Sequence, residues 1–276
     1  MAVKLHGGQA PPTENMYKIM LLAHGLAGVG KTAFGLSFPG PFGIFNLDRG
    51  IGSLTTQLPE TVEIDYEDVS LDVAVLTKGM AQQILNKMDA MVNDMLKLKQ
   101  GTLIIDGWDI FWDCVKMAKV NNLDSDLPKE YAPANSYMNN LLMRLGRSPI
   151  NVVFTTISSK VWSGAKTETD RMKADGFKHK DRMLTHEVYL FTPEDYRTPN
   201  EVPLGGDPTK GTVGQTHNAL ITMSKLNESL INRRIPNLTY KLLYRLTFGV
   251  APPDEDKLWT PGKKAEAPKT AVAGAT

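Results

Sequence analysis

Residues 18–34, with the sequence KIMLLAHGLAGVGKTAF, decide the fold of this chain. An apolar run at 19–23 predicts a short buried strand, and a glycine-rich turn separates it from a helix that we expect at 33–38. From Gly25 to Thr32 the turn follows the pattern G-x-x-x-x-G-K-[ST], which is the signature of a phosphate-binding loop. The sequence therefore predicts that this strand, turn and helix bind a nucleoside polyphosphate.

The residue types of this loop suit the chemistry of a polyphosphate. Successive backbone N–H groups wrap the phosphates, and glycine leaves room for them and permits a positive φ. Lys31 brings a point charge to the β- and γ-phosphates, and the hydroxyl of Thr32 is suited to ligate Mg²⁺. We expect ATP and Mg²⁺ as cofactors. The predicted nucleotide-binding residues are Gly25, Gly28, Val29, Gly30, Lys31, Thr32 and Ala33.

The amino-acid composition limits the classes of protein to which this chain can belong. With 276 residues, 42% of them hydrophobic and 22% charged, the chain has the composition of an ordinary soluble globular protein. The net charge of +1 means that any nucleic-acid site must be a local patch. Cys114 is the only cysteine, which excludes an intramolecular disulfide and fits a reducing cytoplasm. We expect a cytoplasmic protein with no membrane span, and the scattered histidines predict no structural zinc site.

The order of apolar and amphipathic segments predicts an α/β fold with a mostly parallel central sheet flanked by helices. Antiparallel additions are expected at the C-terminal end. Predicted strands lie at 43–47, 61–66, 102–106, 150–155, 187–191, 219–223 and 239–250. Predicted helices lie at 80–98, 110–120 and 137–145, and 121–135 is predicted to be a polar loop. We expect a flexible arm at 1–15, a core at 16–250 with long loops at 158–182 and 192–217, and a disordered tail at 251–276.

Acidic residues at predicted strand ends supply the second half of the site. Asp106 follows the apolar run TLII and suits the role of holding Mg²⁺. Gly107 follows it, so a carboxylate that orients water must come from elsewhere. Asp48, just after the second strand, is the first choice for this catalytic role together with Lys31, and Glu63 is a weaker one. The threonines at 155 and 156 are further candidates to contact the γ-phosphate or the attacking water.

The assembled pattern resembles the RecA-like P-loop ATPases encoded by phages, a family that includes single-strand annealing proteins. Four pieces carry the resemblance and together cover about residues 16–159. They are HGLAGVGKTAFGLSFPGP, the NLDRG after the second strand, TLIIDGWDIFWD, and the YAPANSYMNNLLMRL helix before NVVFTT.

This resemblance implies a RecA-like core that binds ATP between neighbouring subunits and acts in DNA recombination or replication. By the same resemblance Lys31, Thr32 and Asp106 would bind Mg-nucleotide. Asp48 stands where the family usually has a glutamate, so efficient hydrolysis is left open. The implied partners are single-stranded DNA, further copies of the chain in a ring or filament, and recombination or replication proteins.

In such proteins the loop after the fourth strand faces DNA. Here residues 158–182 hold seven cations against four anions, interleaved with Trp162 and Phe177. Cations pair with phosphates, and aromatic rings stack on bases without sequence preference. The predicted DNA-binding residues are Lys160, Trp162, Lys166, Arg171, Lys173, Lys178, Lys180 and Arg182. Candidates to reach a neighbouring subunit's γ-phosphate are Lys225, Arg233 and Arg234.

Three functions remain open at this point. The first is a DNA-stimulated ATPase that assembles on single-stranded DNA. The second is a module that binds ATP and DNA and anneals strands with little hydrolysis, as the short side chain of Asp48 suggests. The third is a nucleotide kinase in which residues 160–182 form a basic lid.

Overall fold

The structure, a computed structural model, describes residues 18–48, 64–69, 75–123, 127–163, 167–177, 182–192, 218–253 and 258. The strands are β1 (Met20–Gly25), β2 (Phe42–Asn46), β3 (Ile64–Asp68), β4 (Thr102–Asp106), β5 (Asn151–Ser163), β6 (Thr167–Ala174), β7 (His186–Phe191), β8 (Asn218–Ser224) and β9 (Arg234–Pro236). The helices are α1 (Lys31–Leu36), α2 (Lys78–Leu98), α3 (Trp108–Lys119), α4 (Ala132–Arg147) and α5 (Tyr240–Phe248).

One sheet organises these elements, in the order β3-β2-β4-β5-β1-β7-β8-β9. The strands from β3 to β7 run parallel, whereas β8 and β9 pair antiparallel at one side. β5 lies between the strand that leads into the glycine-rich loop and the strand that ends at Asp106. The predicted fold class, mostly parallel α/β with antiparallel additions towards the C-terminus, is confirmed.

Both faces of β1, β2 and β4 are buried, which explains why their sequences are largely apolar, whereas the edge strand β3 is mostly exposed and carries charged residues. Along β1, Met20 and Leu22 pack into a core with α2, α3 and α4. Leu21 and Ala23 point to the opposite face, where α1 and α5 form a second core. Alternate residues of such a strand therefore face two different cores. The same alternation determines which face of the sheet a side chain at the carboxyl end of the strand occupies.

The methionine-rich helix α2 is a core helix, as its periodicity predicts. Met88, Met91 and Met95 are buried against the sheet. The Thr77 hydroxyl caps the first turn by accepting a hydrogen bond from the Met80 N–H at 3.3 Å, which satisfies a backbone donor that the helix leaves unpaired.

Helix α4 begins earlier than its sequence predicts. The loop expected at 121–135 gives way to a 3₁₀ turn at Pro128–Tyr131, and α4 starts at Ala132 rather than at residue 137. Proline is tolerated in the first helical turn, where its missing N–H has no partner to lose. The prolines that indicated a loop are therefore compatible with a helix start.

The segment 239–250, predicted as a closing strand, is helix α5. Its buried residues are Tyr240, Leu243, Tyr244 and Thr247, which recur at the spacing of one helical face. Thr239 caps the start by accepting from the Leu242 N–H, and Gly249 ends the helix at φ 74°. The β-branched and aromatic composition suggested a strand, but the buried face and both caps favour the helix.

Residues 158–174 are not the loop that was predicted for 158–182. β5 continues past the sheet to Ser163 and pairs there with β6 as an antiparallel hairpin. Where its side chains are described, the hairpin packs through Met172 on the small cluster of Tyr189, Phe191 and Leu220, whereas Lys173 on the other face is exposed. Backbone pairing, not apolar content, sustains these strands.

The predicted arm at 1–15 and almost all of the predicted loop at 192–217 lie outside the described residues. Of the predicted tail, residues 251–253 and 258 are described. Pro252 is buried and Leu258 packs against the α1 side of the core, so the tail prediction is wrong at its start. No described helix is both long and apolar enough to cross a bilayer.

Lys18 joins the start of β1 to the end of α4. Its ammonium donates hydrogen bonds to the carbonyls of Leu145 at 2.8 Å, Gly146 at 2.7 Å and Ser148 at 2.6 Å. These are carbonyls at a helix C-terminus, where a cation is favoured by the helix dipole. Burial lowers the pKa of Lys18 to about 8, so desolvation offsets part of this gain.

We expect Lys18→Met to lower the free energy of unfolding by about 1–3 kcal/mol, because it removes the charged donor from three partly buried acceptors. Chemical denaturation at pH 7 measures the change. Lys97→Met is the matched control, because Lys97 is 75% exposed and pairs only with Asp94; it should cost less than about 0.5 kcal/mol. Equal losses in the two variants would contradict the role given to Lys18.

Candidate nucleotide-binding site

The glycine-rich loop connects β1 to α1 and has the backbone that the motif requires. Gly28 and Gly30 adopt φ of 79° and 87°, a left-handed region in which side chains are strained. Gly25 has no room for a side chain, because a Cβ there would lie 2.2 Å from the Leu190 carbonyl oxygen of β7. Val29 and Ala33 are buried, so their predicted contact with phosphate would be through backbone N–H groups.

Lys31 lies over this loop. Its Nζ donates to the carbonyl oxygens of Gly25 at 3.2 Å and Leu26 at 2.8 Å. Burial lowers the pKa of Lys31, whereas the carboxylates of Asp106, Asp48 and Asp109 favour its charged form. The lysine therefore stands within electrostatic range of three acids.

Asp106 is held from two sides. The Thr32 hydroxyl donates to its Oδ2 at 2.9 Å, and the Thr155 hydroxyl donates to its Oδ1. Thr155 in turn accepts from the Gly107 N–H at 3.2 Å. Asp106 is only 2% exposed, and burial raises its pKa while both threonine hydrogen bonds act in the opposite direction. The predicted metal residues Thr32 and Asp106 are thus brought into direct contact.

Sheet register extends this contact into a row of polar residues. Asp106 pairs with Thr155 of β5 on one side and with Asn46 of β2 on the other, and Asn46 pairs with Asp68 of β3. Asn46, Asp68 and Asp106 end their strands, Thr155 lies within β5, and all four are on the face of the sheet that α1 covers. Asn46 was visible at the end of a predicted strand, but its role was missed, and Asp68 was missed because the pairing of β2 with β3 cannot be read from the sequence.

Asn46 carries a buried oxygen without a partner among the described residues. Its Nδ2 donates to the Tyr66 hydroxyl at 3.1 Å and to Asp68 Oδ1 at 3.2 Å, and its Oδ1 accepts no hydrogen bond. Such an orphaned acceptor next to Asp106 fits a hydrated Mg²⁺, whose water ligands supply donors. The oxygens of Thr32, Asp106 and Asn46 form a donor set that suits this ion.

Asp48 stands beside this row and is exposed. Its charge raises the pKa of Asp106 and of Asp109 and favours the charged form of Lys31. The predicted catalytic residue is therefore within electrostatic reach of the site, and its role stays a prediction. Glu63, the weaker candidate, lies outside the described residues.

Asp109 is a further acid that the sequence analysis missed. It lies in the first turn of α3, where burial raises its pKa and where its Oδ1 accepts from the Thr156 hydroxyl at 3.0 Å. Thr156 also contacts the Asp175 carbonyl at 3.3 Å, just after the β6 strand. An acidic residue in a first helical turn was the available signal.

The base of the hairpin is joined to the glycine-rich loop. His24, the residue before Gly25, contacts the Ser158 hydroxyl through Nδ1 at 2.8 Å. The other ring nitrogen of His24 lies 3.5 Å from Glu187 Oε1, and the Tyr189 ring stands 5.2 Å away. A movement of the loop strand is therefore transmitted directly to the point where β5 leaves the sheet.

The structure divides the predicted DNA-binding residues. Lys173 and Arg182 are exposed and Lys160 is half-buried. The backbones of Trp162 and Arg171 lie in β5 and β6, but their side chains are outside the described part, as are Lys166, Lys178 and Lys180 entirely. Phe177 is buried with its ring 5.1 Å from Trp112, so the expected stacking of Phe177 on a base is wrong.

Of the three cations proposed to reach a neighbouring subunit, Arg234 is unsuited. It is buried, and its guanidinium lies 4.7 Å over the Phe191 ring. Lys225 and Arg233 are exposed and stay candidates.

Residues 86–89, NKMD, match the letters of the N-K-x-D guanine-reading pattern but lie inside α2. Lys87 pairs with Glu67, and Asp89 accepts from Arg144 at 2.8 Å and from Tyr137 at 3.3 Å. These side chains join helices and the sheet edge, so the match gives no reason to expect guanine recognition.

Three comparisons place this chain beside known proteins. No curated protein is significantly similar in sequence. Among solved structures, a KaiC-like protein from the archaeon Pyrococcus horikoshii is 14% identical with a TM-score of 0.43, covering 79% of this chain and 84% of that one. An ATPase from the type III secretion system of pathogenic bacteria is 12% identical with a TM-score of 0.41, covering 63% and 51%.

The family described as AAA domain matches residues 17–198, which contain the loop of 25–32, Asp106 and the hairpin. This match spans well over half of the chain. The protein therefore belongs to the AAA domain family and is a P-loop ATPase domain of the AAA type.

Proposed function

We propose that this protein binds ATP with Mg²⁺ at the row formed by Thr155, Asp106 and Asn46 and hydrolyses it there. The observation that carries the proposal is Asp106, which accepts from Thr32 of the loop and from Thr155 of the neighbouring strand. A carboxylate held by a loop hydroxyl at the end of a parallel strand is the arrangement that a phosphate-bound metal requires.

Each residue then has a defined task. Lys31 would bind the outer phosphates, and Thr32 and Asp106 would hold the ion. Mg²⁺, when bound, neutralises charge on the phosphate oxygens. Thr155 already donates to Asp106, so it keeps the carboxylate oriented while the loop binds phosphate. Asp48 is the carboxylate placed to orient water and accept its proton.

The assignment of Asp48 leads to a kinetic prediction. Asp48→Asn keeps the shape and removes the proton acceptor, so we expect kcat for ATP hydrolysis to fall at least about 100-fold with little change in nucleotide affinity. Phosphate release measures turnover, and calorimetry measures affinity. Asp94→Asn, at an exposed carboxylate of α2, is the matched control.

An unchanged kcat in Asp48→Asn would exclude Asp48 as the base. Negligible turnover in the unaltered protein, together with tight ATP binding, would instead favour the second candidate, a module that binds ATP and hydrolyses little. The second candidate is retained because the side chain of Asp48 is one methylene shorter than that of glutamate. Phosphate transfer to an added nucleoside monophosphate would indicate a kinase.

We further propose that the protein binds single-stranded DNA along the hairpin β5–β6 and acts in recombination or replication, including strand annealing. The support is positional, because β5 carries Thr155 and Thr156 at the nucleotide site and then continues directly into the hairpin. Ser159 also contacts Asp175 Oδ1 at 2.6 Å, which stiffens the junction.

Register distinguishes the two faces of this hairpin. Lys173 pairs with Ser159, and Lys160 pairs with Met172, whose side chain packs towards the sheet. Neighbouring pairs alternate between faces, so Lys173 lies on the outer face and Lys160 on the inner one. Lys173 on the outer face is the described hairpin cation that we place against DNA phosphates, and Arg182, which is exposed but lies outside the hairpin, stays a second predicted contact.

The double variant Lys173→Ala with Arg182→Ala should weaken binding to single-stranded DNA and reduce the salt slope of log K by about 1.4, since each lost phosphate contact removes about 0.7. Fluorescence anisotropy at several salt concentrations measures both. Lys87→Ala with Lys97→Ala removes the same charge from exposed positions of helix α2 and is the control. An equal effect in the two double variants would contradict the hairpin as the DNA surface.

Self-association into a ring or filament completes the proposal, with recombination or replication proteins as further partners. Exposed Arg233, at the start of the antiparallel strand β9, is the arginine that we assign to a neighbouring subunit's nucleotide. Light scattering with and without ATP tests the assembly.

A further inference from the structure

We infer that Asn46 is a positioning residue of this site, whose Oδ1 accepts a hydrogen bond from the water shell of the metal ion held by Asp106 and Thr32, and that Asp68 sets the orientation of its amide. The inference deepens the proposed function and rests on it. It starts from the buried Oδ1, which lacks a hydrogen-bond partner in a side chain that is 1% exposed.

The position of Asn46 points to the metal rather than to the fold alone. Asn46 and Asp106 are register partners on neighbouring strands, so their side chains leave the sheet on the same face, where α1 begins with Lys31 and Thr32. A buried carbonyl oxygen without a donor is unfavourable, and a metal-bound water removes that penalty.

The orientation of the amide is determined by its neighbours. Asp68 carries only acceptors when ionised, so it selects the amide nitrogen of Asn46, which donates to Asp68 Oδ1 at 3.2 Å. The Tyr66 hydroxyl, 3.1 Å from the same nitrogen, can donate or accept and so does not decide the orientation. Asp68 alone therefore forces Oδ1 to the side away from β3, next to Asp106.

In this arrangement Asp68 affects metal binding although it does not itself contact the metal ion. An amide in place of Asp68 could donate to Oδ1, and the Asn46 side chain would then turn over and present its nitrogen to the metal side. A donor there opposes both the cation and its water ligands. Asp68 thus acts through Asn46.

The test measures the affinity of a non-hydrolysable ATP analogue by calorimetry, once with Mg²⁺ and once with EDTA. In Asn46→Ala we expect the gain in affinity from Mg²⁺ to fall about five- to thirty-fold, while the affinity in EDTA stays within about twofold. Asp68→Asn should lose a similar part of the gain although Asn46 is intact. Asp65→Asn makes the same change on the same strand at a side chain of the other face and should keep the full gain.

Asn46→Asp separates the metal role from a structural one. It removes both donations to β3 but keeps an acceptor beside Asp106, so we expect the gain from Mg²⁺ to be retained. If Asn46→Asp loses the gain as Asn46→Ala does, or if Asn46→Ala keeps it, the inference is overturned while the proposed function stands. If the unaltered protein shows no gain from Mg²⁺, the proposed function fails and the inference falls with it. Melting temperatures identify any variant that is unfolded. If Asn46→Ala is unfolded, the gain from Mg²⁺ in Asp68→Asn, a change at an exposed side chain, decides whether the inference holds.

Discussion

The buried carboxylate of Asp106 is the constraint on which the rest of the structure depends. An ionised carboxylate that is almost fully buried is very unfavourable unless hydrogen bonds stabilise it. Thr32 and Thr155 provide those bonds, and they come from the two structural units that flank it, the glycine-rich loop and strand β5. The glycine-rich loop, β4 and β5 therefore cannot move apart without breaking these hydrogen bonds, so one local requirement fixes the relative position of three elements.

Strand β5 connects the surroundings of Asp106 to the hairpin outside the main sheet. Its first half lies between β1 and β4, and its second half leaves the sheet and pairs with β6. Three contacts anchor the point of departure, namely Thr156 with Asp109, Ser158 with His24, and Ser159 with Asp175. A strand that is fixed at both ends of such a junction transmits small shifts rather than absorbing them. These contacts join the base of the hairpin to the candidate nucleotide-binding site.

The sequence predicted those elements whose structure depends on residues close together in the chain. The loop of 25–32, the strand TLIID and the methionine face of α2 depend on motif spacing and periodicity, and each was predicted. The hairpin and α5 were not predicted, because polar strands are stabilised by pairing with another segment, and because the aromatic and β-branched residues of α5 favour a strand while its buried face and caps favour the helix. The contact between Asn46 and Asp68 was still less predictable from the sequence. Twenty-two residues separate them, and only sheet register makes them neighbours of Asp106.

The charge balance of the site explains why a metal and a nucleotide belong together here. Burial and then the charge of Asp48 raise the pKa of both Asp106 and Asp109, and all three carboxylates favour the charged form of Lys31. A polyphosphate that approached alone would add further negative charge to this group, and Lys31 supplies only one positive charge against it. A divalent ion that arrives with the phosphates reverses the balance, because the acids that repel the bare nucleotide then attract the complex. Under the proposed function, these acids favour metal-bound nucleotide over bare nucleotide, a preference that the glycine-rich loop alone would not give.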